Sequence, residues 1–486
     1  MTLEKRVLFL YWAVVVVLLG ASAFYMVHNG CFYVEESGPL LNHYLSAKPL
    51  LWKVFYAPGT EGPGYVFRAR EFSYLFNLWD AQFIRFSFKT GIPHFLSGTY
   101  FLCLLLAAGI HVRFTRRHFG NDPVLFAAAL GLFLVFLASP TIFFSTQYFR
   151  TGKMLAGFFL FWQAWLILSL YLRQAQGDTC RPSLGFAVMY SLVSLFAGLS
   201  DEQGLFLTFT LSGGMFLLML QGRIKNANRL LLGAAMSGAV LLGYRFFIGQ
   251  LLAANFAGLS AHRFDPEFQS LRVAQYLSVA KNAFLLLLSY FSNILWRLPK
   301  AIVALLLIGL LKSLSGGGVG PESHVTGSLP GRLWRSAVPF FLYSGFMLWL
   351  LLFLMTLSDS QDARFGFIAP HAAISFLKMW YYPIPIVSLT AVSLVALLWY
   401  FSRSVANGRR PILLLAVLIL FSGNLVAIYS GRKTMRSHGI ARPGVAAYIV
   451  TAALGKDPIQ VMDSDTLYSA YMRELILTLR GFASGR

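Results

Sequence analysis

The residues able to do chemistry in this chain are acids and cations gathered in a few short polar stretches. Glu35 and Glu36 stand in the run HNGCFYVEESG, and Arg68, Arg70, Glu71 and Asp80 in YVFRAREFSYLFNLWDAQF. Arg150 and Lys153 follow in QYFRTGK, Asp201 and Glu202 in SDEQG, Arg263 and Asp265 in HRFDPEF, and Asp359, Asp362 and Arg364 in SDSQDARFGF. A carboxylate kept partly dry at a membrane surface can act as a general base toward a hydroxyl or an amine. That makes Glu35 and Glu36 the candidate catalytic pair, although two solvated loop acids would read the same way. A guanidinium at such a surface suits bidentate capture of a phosphate. Arg364 fits that role, with a local pair to Asp359 or Asp362 as the plainer alternative. Arg150 and Lys153 could hold a mono- or diphosphate, or simply snorkel, and Arg68 and Arg70 join them as candidate phosphate ligands. Asp201 and Glu202 could orient an acceptor or a metal, or could cap the helix that follows. Asp80, Asp359 and Asp362 complete the acids able to sit beside an acceptor or a divalent cation. The spacing specifies no particular metal.

These residues are set between long apolar runs. The chain has 486 residues, 57% of them hydrophobic and 12% charged, with a net charge of +21. Soluble domains carry about 25% charged residues. The mean hydropathy of +0.64 and repeated apolar runs of ~17–25 residues predict helices that cross a bilayer. The basic excess is scattered among those runs, which speaks against nucleic-acid binding and fits cytoplasmic loops and anionic lipid headgroups. Cys31, Cys103 and Cys180 are far apart and show no metal-ligand spacing.

Lys5 and Arg6 precede the first run, Val7–Val27, which places the N-terminus inside and residues 28–94 outside. The run is too long for the apolar part of a signal peptide and is read as a retained span. Further spans are expected near 96–112, 124–138, 154–172, 184–199, 205–220, 230–248, 301–311, 337–357, 384–400 and 412–428. Tyr276–Trp296 is read as an interfacial helix, because a crossing there would put the basic loop 312–335 outside. The expectation is an all-α polytopic membrane protein of about eleven spans. Residues 1–430 form the membrane domain, and 431–486 form a small outer tail of two helices around one short strand. Within the first outer loop, Glu71–Phe88 reads as an amphipathic helix lying on the membrane. Its aromatic stripe (Phe67, Phe72, Tyr74, Phe76, Trp79, Phe83, Phe86) serves interface packing. All the chemistry-bearing stretches fall on the same outer side, whereas the inner loops hold mostly Arg and Lys.

This layout resembles the GT-C superfamily of integral-membrane glycosyltransferases, which use polyprenyl-phosphate-linked sugars. The resemblance is carried by a first span followed by a long outer loop with an early acid (VEES), and by the amphipathic REFSYLFNLWDAQF. Short later loops and the helix leading into LWRLPKAIVALLL add to it. It covers about Val7–Ile428 and is architectural. It implies Glu35 or Glu36 as catalytic base or metal-associated acid, and Arg364, Lys153 and Arg150 as ligands of the lipid phosphate. It further implies a polyprenyl-phosphate-linked sugar as donor and an envelope glycan, lipid or protein as acceptor. The setting would be the non-cytoplasmic face of a bacterial inner membrane, among its lipids. The chain departs from the family in carrying Glu-Glu where an Asp is usual, and in lacking the large soluble C-terminal domain of some members.

Two other classes fit parts of the pattern. A transporter or flippase of lipid-linked glycans requires charges and broken helices near the midplane, and the runs here are largely free of charge, Arg245 excepted. A non-catalytic assembly protein requires no cavity behind the first outer loop. The topology is checked by single-cysteine labelling at Ser37, Ser360 and Ser464. All three should react only from the non-cytoplasmic side, and protection of Ser360 alone would mean that Tyr276–Trp296 crosses the bilayer.

Overall fold

The computed structural model describes residues 3–29, 41, 43–45, 47, 49–55, 70–94, 96–144, 151–177, 181–248, 251, 277–285, 338–361, 384–404, 410–437, 445–459 and 467–484. Among them every regular element is a helix. Of the expected elements, the span near 301–311 and the short strand of the tail fall outside these residues or in their last coil positions.

The helices are α1 (Leu3–Asn29), α2 (Leu50–Phe55), α3 (Glu71–Lys89), α4 (Gly98–Phe119), α5 (Pro123–Leu137) and the single turn α6 (Pro140–Phe143). They continue with α7 (Thr151–Ala175), α8 (Leu184–Ser200), α9 (Glu202–Leu220) and α10 (Asn228–Gly243), which runs on as a π-helical turn, Tyr244–Ile248. The later ones are α11 (Val338–Gln361), α12 (Ile384–Ser404), α13 (Pro411–Ser437), α14 (Val445–Ala453) and α15 (Leu467–Ala483). Among the described residues six helices are long and apolar enough to cross a membrane, namely α1, α4, α7, α9, α12 and α13. Apolar stretches of 10–17 residues in α5, α8, α10 and α11 complete the bundle. Ten expected spans thus coincide with helices. The total of about eleven goes beyond what the described residues establish.

Local sequence explains where the spans begin. Ser97 accepts the Tyr100 amide, Asp122 accepts those of Val124 and Leu125 with Pro123 behind it, and Ser183 accepts that of Phe186. These caps satisfy amides that lipid could not. Helix α7 is the centre, buried along most of its length and packed against α4, α8, α9 and α12. Its Gln163 donates to Tyr190 and Ser194 of α8 at 3.0 Å each and accepts from Thr208 of α9. This neutral, internally paired network crosses the bundle interior without a charge.

The two ends of the bundle differ. At one end Arg116 pairs with Glu4, Arg410 with Asp122, and Gln174 bonds the backbone of Lys225 in both directions. This is the end with the arginine-rich connections. At the other end lie the start of α4, the turn α6, the start of α7, the α8–α9 corner and the end of α10. Helix α11 runs antiparallel to α9, with Phe340 near Gly214 and the Tyr343 hydroxyl donating to the Thr210 carbonyl. It therefore finishes at that second end.

Helix α3 lies across the second end and extends from Glu71 to Lys89, one residue past the sequence expectation. Its polar residues cap the spans beneath it. Asn77 Oδ1 accepts the Thr151 hydroxyl at 2.7 Å and its amide at 3.3 Å, at the start of α7. Asp80 accepts the Ser97 hydroxyl at 2.6 Å and the Thr99 amide at 2.9 Å, at the start of α4. A second face, Tyr74, Ala81, Ile84 and Phe88, shares a core with Ile449, Leu475, Ile476 and Leu479 of α14 and α15. The outermost face carries Leu75, Trp79, Phe83 and Phe86, all exposed.

Asp80 is fully buried. Burial raises its carboxyl to about 7 in spite of the hydrogen bonds from Ser97, Thr99 and the Gly98 amide. A folded-state pKa above the unfolded value means that the stability it contributes is present in acid and declines as pH rises toward 7. The thermal midpoint should therefore fall less between about pH 5 and about pH 8 in Asp80→Asn than in the wild type. Asp80→Ala should cost about 1–3 kcal/mol in acid, because it strands the Ser97 and Thr99 donors, and less as pH rises toward neutrality.

Candidate functional site

Under the first turn of α3, side chains from four parts of the chain meet. Lys153, one turn into α7, donates its ammonium to Asp201 Oδ1 at 2.8 Å. The two side chains are 6% and 1% exposed. Asp201 sits in the extended corner between α8 and α9 and also accepts the Gln203 amide, capping α9. Arg70, the residue before α3, brings its guanidinium to 3.6 Å from Asp201 and 3.4 Å from Glu202. Arg245, in the π-helical turn after α10, reaches the other Glu202 oxygen at 3.2 Å. Glu202 is 44% exposed, so the cluster grades from a dry pair to a wet one.

Burial alone would raise the Asp201 carboxyl, but Lys153 and Arg70 outweigh it and hold it below the usual carboxylate range. Glu71 is in the opposite condition. Burial raises its carboxyl to about 7, with its own backbone amide, the Tyr244 hydroxyl and Arg245 pulling back. Both its oxygens are shielded from solvent, and neither has a hydrogen-bond partner of ordinary geometry among the described residues.

The close approach of these elements depends on glycine. A Cβ on Gly152 would lie 2.7 Å from Ser73 Oγ and 2.8 Å from the Ser200 carbonyl. A side chain there would push α3 and the α8–α9 corner away from α7.

Of the residues singled out from sequence, the structure brings Arg70, Lys153, Asp201 and Glu202 together. Asp80 lies further along α3 and is occupied with the start of α4. Asp359 falls in the last turn of α11, at the same end of the bundle. Its side chain lies outside the described residues, as do Glu35, Glu36, Arg68, Arg150, Asp362 and Arg364. Glu71 and Arg245 were visible in the sequence as charges without a role. Their signal was position alone, Glu71 opening an amphipathic helix and Arg245 closing a span. As to a divalent cation, no group of three His, Cys, Asp or Glu side chains converges among the described residues. The oxygens of Asp201 and Glu202 face cations already.

No family model matches the chain, and no curated protein matches it. Among solved structures it is similar to the crystal structure of ArnT from Cupriavidus metallidurans bound to undecaprenyl phosphate. The identity is 15% and the TM-score 0.43, over 99% of this chain and 88% of that one.

Breaking one partner of a buried ion pair strands the other. Lys153→Met should therefore destabilise the protein by about 3–5 kcal/mol. Lys153→Met with Asp201→Asn, which keeps an acceptor for the Gln203 amide, should recover most of the loss in a thermal melt. Equal instability of the two variants would show that the pair is not what holds the corner.

Proposed function

We propose that this integral membrane protein is a glycosyltransferase of GT-C type, which moves a sugar from a polyprenyl-phosphate-linked donor to an envelope glycan, lipid or protein. The observation that carries the reading is the partly desolvated cluster of Arg70, Lys153, Arg245, Asp201, Glu202 and Glu71 at one end of the bundle. A donor anchored by its lipid tail presents its phosphate at that depth, and fixed cations out of water stabilise a departing phosphate best. By the positive-inside rule the arginine-rich end is cytoplasmic, and the cluster faces the other side.

In the proposed step the acceptor hydroxyl attacks the anomeric carbon and the bond from that carbon to the phosphate oxygen breaks. The acceptor proton passes to a carboxylate, and the polyprenyl phosphate leaves as an anion held by cations. Glu35 or Glu36 would take the proton, Glu35 being nearer the first span and so the drier. Arg70 and Lys153, with Arg364, Arg150 and Arg68 from the adjoining outer segments, would form the cationic wall. Asp201, Glu202, Asp80, Asp359 and Asp362 would order that wall or the acceptor. Transport or flipping of a lipid-linked glycan is less well supported, since the polar network of Gln163, Tyr190, Ser194 and Thr208 is uncharged.

Two measurements test the reading. Arg364→Ala should weaken binding of undecaprenyl phosphate by roughly ten- to a hundred-fold, the value of one charge-assisted bond. Arg409→Ala, in an inner loop, should leave it unchanged, and equal losses would point to general electrostatics. With an undecaprenyl-phosphate-linked sugar, Glu35→Gln should lower transfer by about a hundred- to ten-thousand-fold while donor binding persists. Retained activity in Glu35→Gln, Glu36→Gln and the double variant would place the base elsewhere.

A further inference from the structure

The cluster contains one acid that its ion pairs do not use. Asp201 is committed to Lys153 and the α9 cap, and Glu202 bridges Arg70 and Arg245. Glu71, on the first turn of α3, has both oxygens enclosed and neither in an ordinary hydrogen bond among the described residues. The groups that face it are Tyr244 and Arg245 from the turn after α10, and Arg245 in turn reaches Glu202, which Arg70 also holds. Among the described residues, Arg70, Arg245 and Lys153 with Asp201 and Glu202 sum to one net positive charge, and an ionised Glu71 beside Arg245 cancels it. With Glu71 ionised the group is neutral and has no reason to take an anion. With Glu71 protonated it carries one net positive charge, and the acid gains a donor.

We propose that Glu71 binds the ligand's phosphate as a neutral carboxylic acid, donating a hydrogen bond to a phosphate oxygen held by Arg70 and Arg245, so that binding takes up one proton. This rests on the reading of the site as one for a phosphate-ended ligand. It adds a specificity-determining residue on α3 and a direction for the proton. The half-exposed Glu202 is the partner that the phosphate displaces, because its bonds to Arg70 and Arg245 are long and partly wet. The buried Lys153–Asp201 pair stays intact and keeps the corner in place. Protonation of Glu71 also removes the like charge that a phosphate would otherwise meet within the same enclosure.

The sign follows from linkage. Burial leaves Glu71 half-ionised at about 7 in the free protein, and a bound anion raises its affinity for the proton further. Above that pH the proton must be acquired on binding, so affinity falls by up to about tenfold per pH unit. The phosphate's own second ionisation, near pH ~6, adds a slope that is the same for every variant.

The test measures dissociation constants for undecaprenyl phosphate on the full chain in nanodiscs, from about pH 6 to about pH 9. Wild type, Glu71→Gln and Glu71→Asp are compared, with inorganic phosphate and phosphatidylglycerol discs as separate arms. The wild type should weaken more steeply with pH than Glu71→Gln, by up to about tenfold per unit above neutrality, and Glu71→Asp should keep a pH-dependent excess. Parallel slopes in wild type and Glu71→Gln, with binding intact, would overturn the role of Glu71 and leave the proposed function standing. An excess slope for inorganic phosphate alone would support Glu71 and count against a lipid donor. An excess slope with phosphatidylglycerol discs would assign the site to bulk headgroups. Absence of binding to all three probes by a folded wild type would overturn both readings. Should Glu71→Gln fail to fold, the wild-type and Glu71→Asp slopes must still exceed that of the ligand's own ionisation, or the proposal falls.

Discussion

The pair formed by Lys153 and Asp201 constrains everything around it. Two charges with almost no exposure each lose several kcal/mol of hydration, and their attraction offsets this only if the geometry is good and the remaining valences are met. Here they are met by the Gln203 amide and by Arg70. The ion pair therefore fixes three things at once: the height of α7, the sharp α8–α9 corner, and the start of α3. A small displacement of any of them would leave a charge stranded in a dry place. Gly152 lets these parts come close enough for the pair to form. An end of the bundle built this way is set before any ligand arrives, which is the condition for cations to stabilise a leaving group without reorganising.

Helix α3 shows how one helical period can serve three neighbours. Ser73, Asn77 and Asp80 point to the spans, where Asn77 and Asp80 close the amide ends of α7 and α4. Tyr74, Ala81, Ile84 and Phe88 point to α14 and α15. Leu75, Trp79, Phe83 and Phe86 point outward. The aromatic residues that looked like one stripe divide accordingly. Phe72 stacks on Phe196 of α8 at 4.7 Å and Tyr74 enters the C-terminal core, whereas Trp79, Phe83 and Phe86 stay exposed. Only the last group suits an interface with headgroups. The small C-terminal helices thus share their core with the first polar loop, so the two polar parts of the chain, far apart in sequence, form one unit on the bundle.

Hydropathy made the helical class, the positions of the spans and the extent of α3 legible, because an apolar run facing lipid has no alternative to a helix. The alternation of charge also separated the two ends. Pairing was not legible. Lys153 reads in sequence as a snorkelling or phosphate-binding residue beside Arg150, and Asp201 as a cap or an acceptor ligand. That Asp201 both caps α9 and holds Lys153 follows from the packing of α7 on α8, which no local pattern encodes. Glu71 was hidden for the same reason: next to arginines in a polar run it looks solvated. Its enclosure comes from Tyr244 and Arg245, supplied by a helix much later in the chain.

The charges at the two ends of the bundle differ in their exposure. At the end with the arginine-rich connections, Arg116 and Glu4 are 65% and 38% exposed. Pairs of that kind are screened by water and salt and contribute little. At the opposite end the Lys153–Asp201 pair is dry, and the strength of an electrostatic contact grows as the local dielectric falls. Binding and transfer of an anionic group depend on field, not on the number of charges. A site of that sort belongs where desolvated cations are held by acids of unequal commitment. Asp201 is buried against Lys153 at 2.8 Å, whereas Glu202 is 44% exposed and held at 3.2 and 3.4 Å.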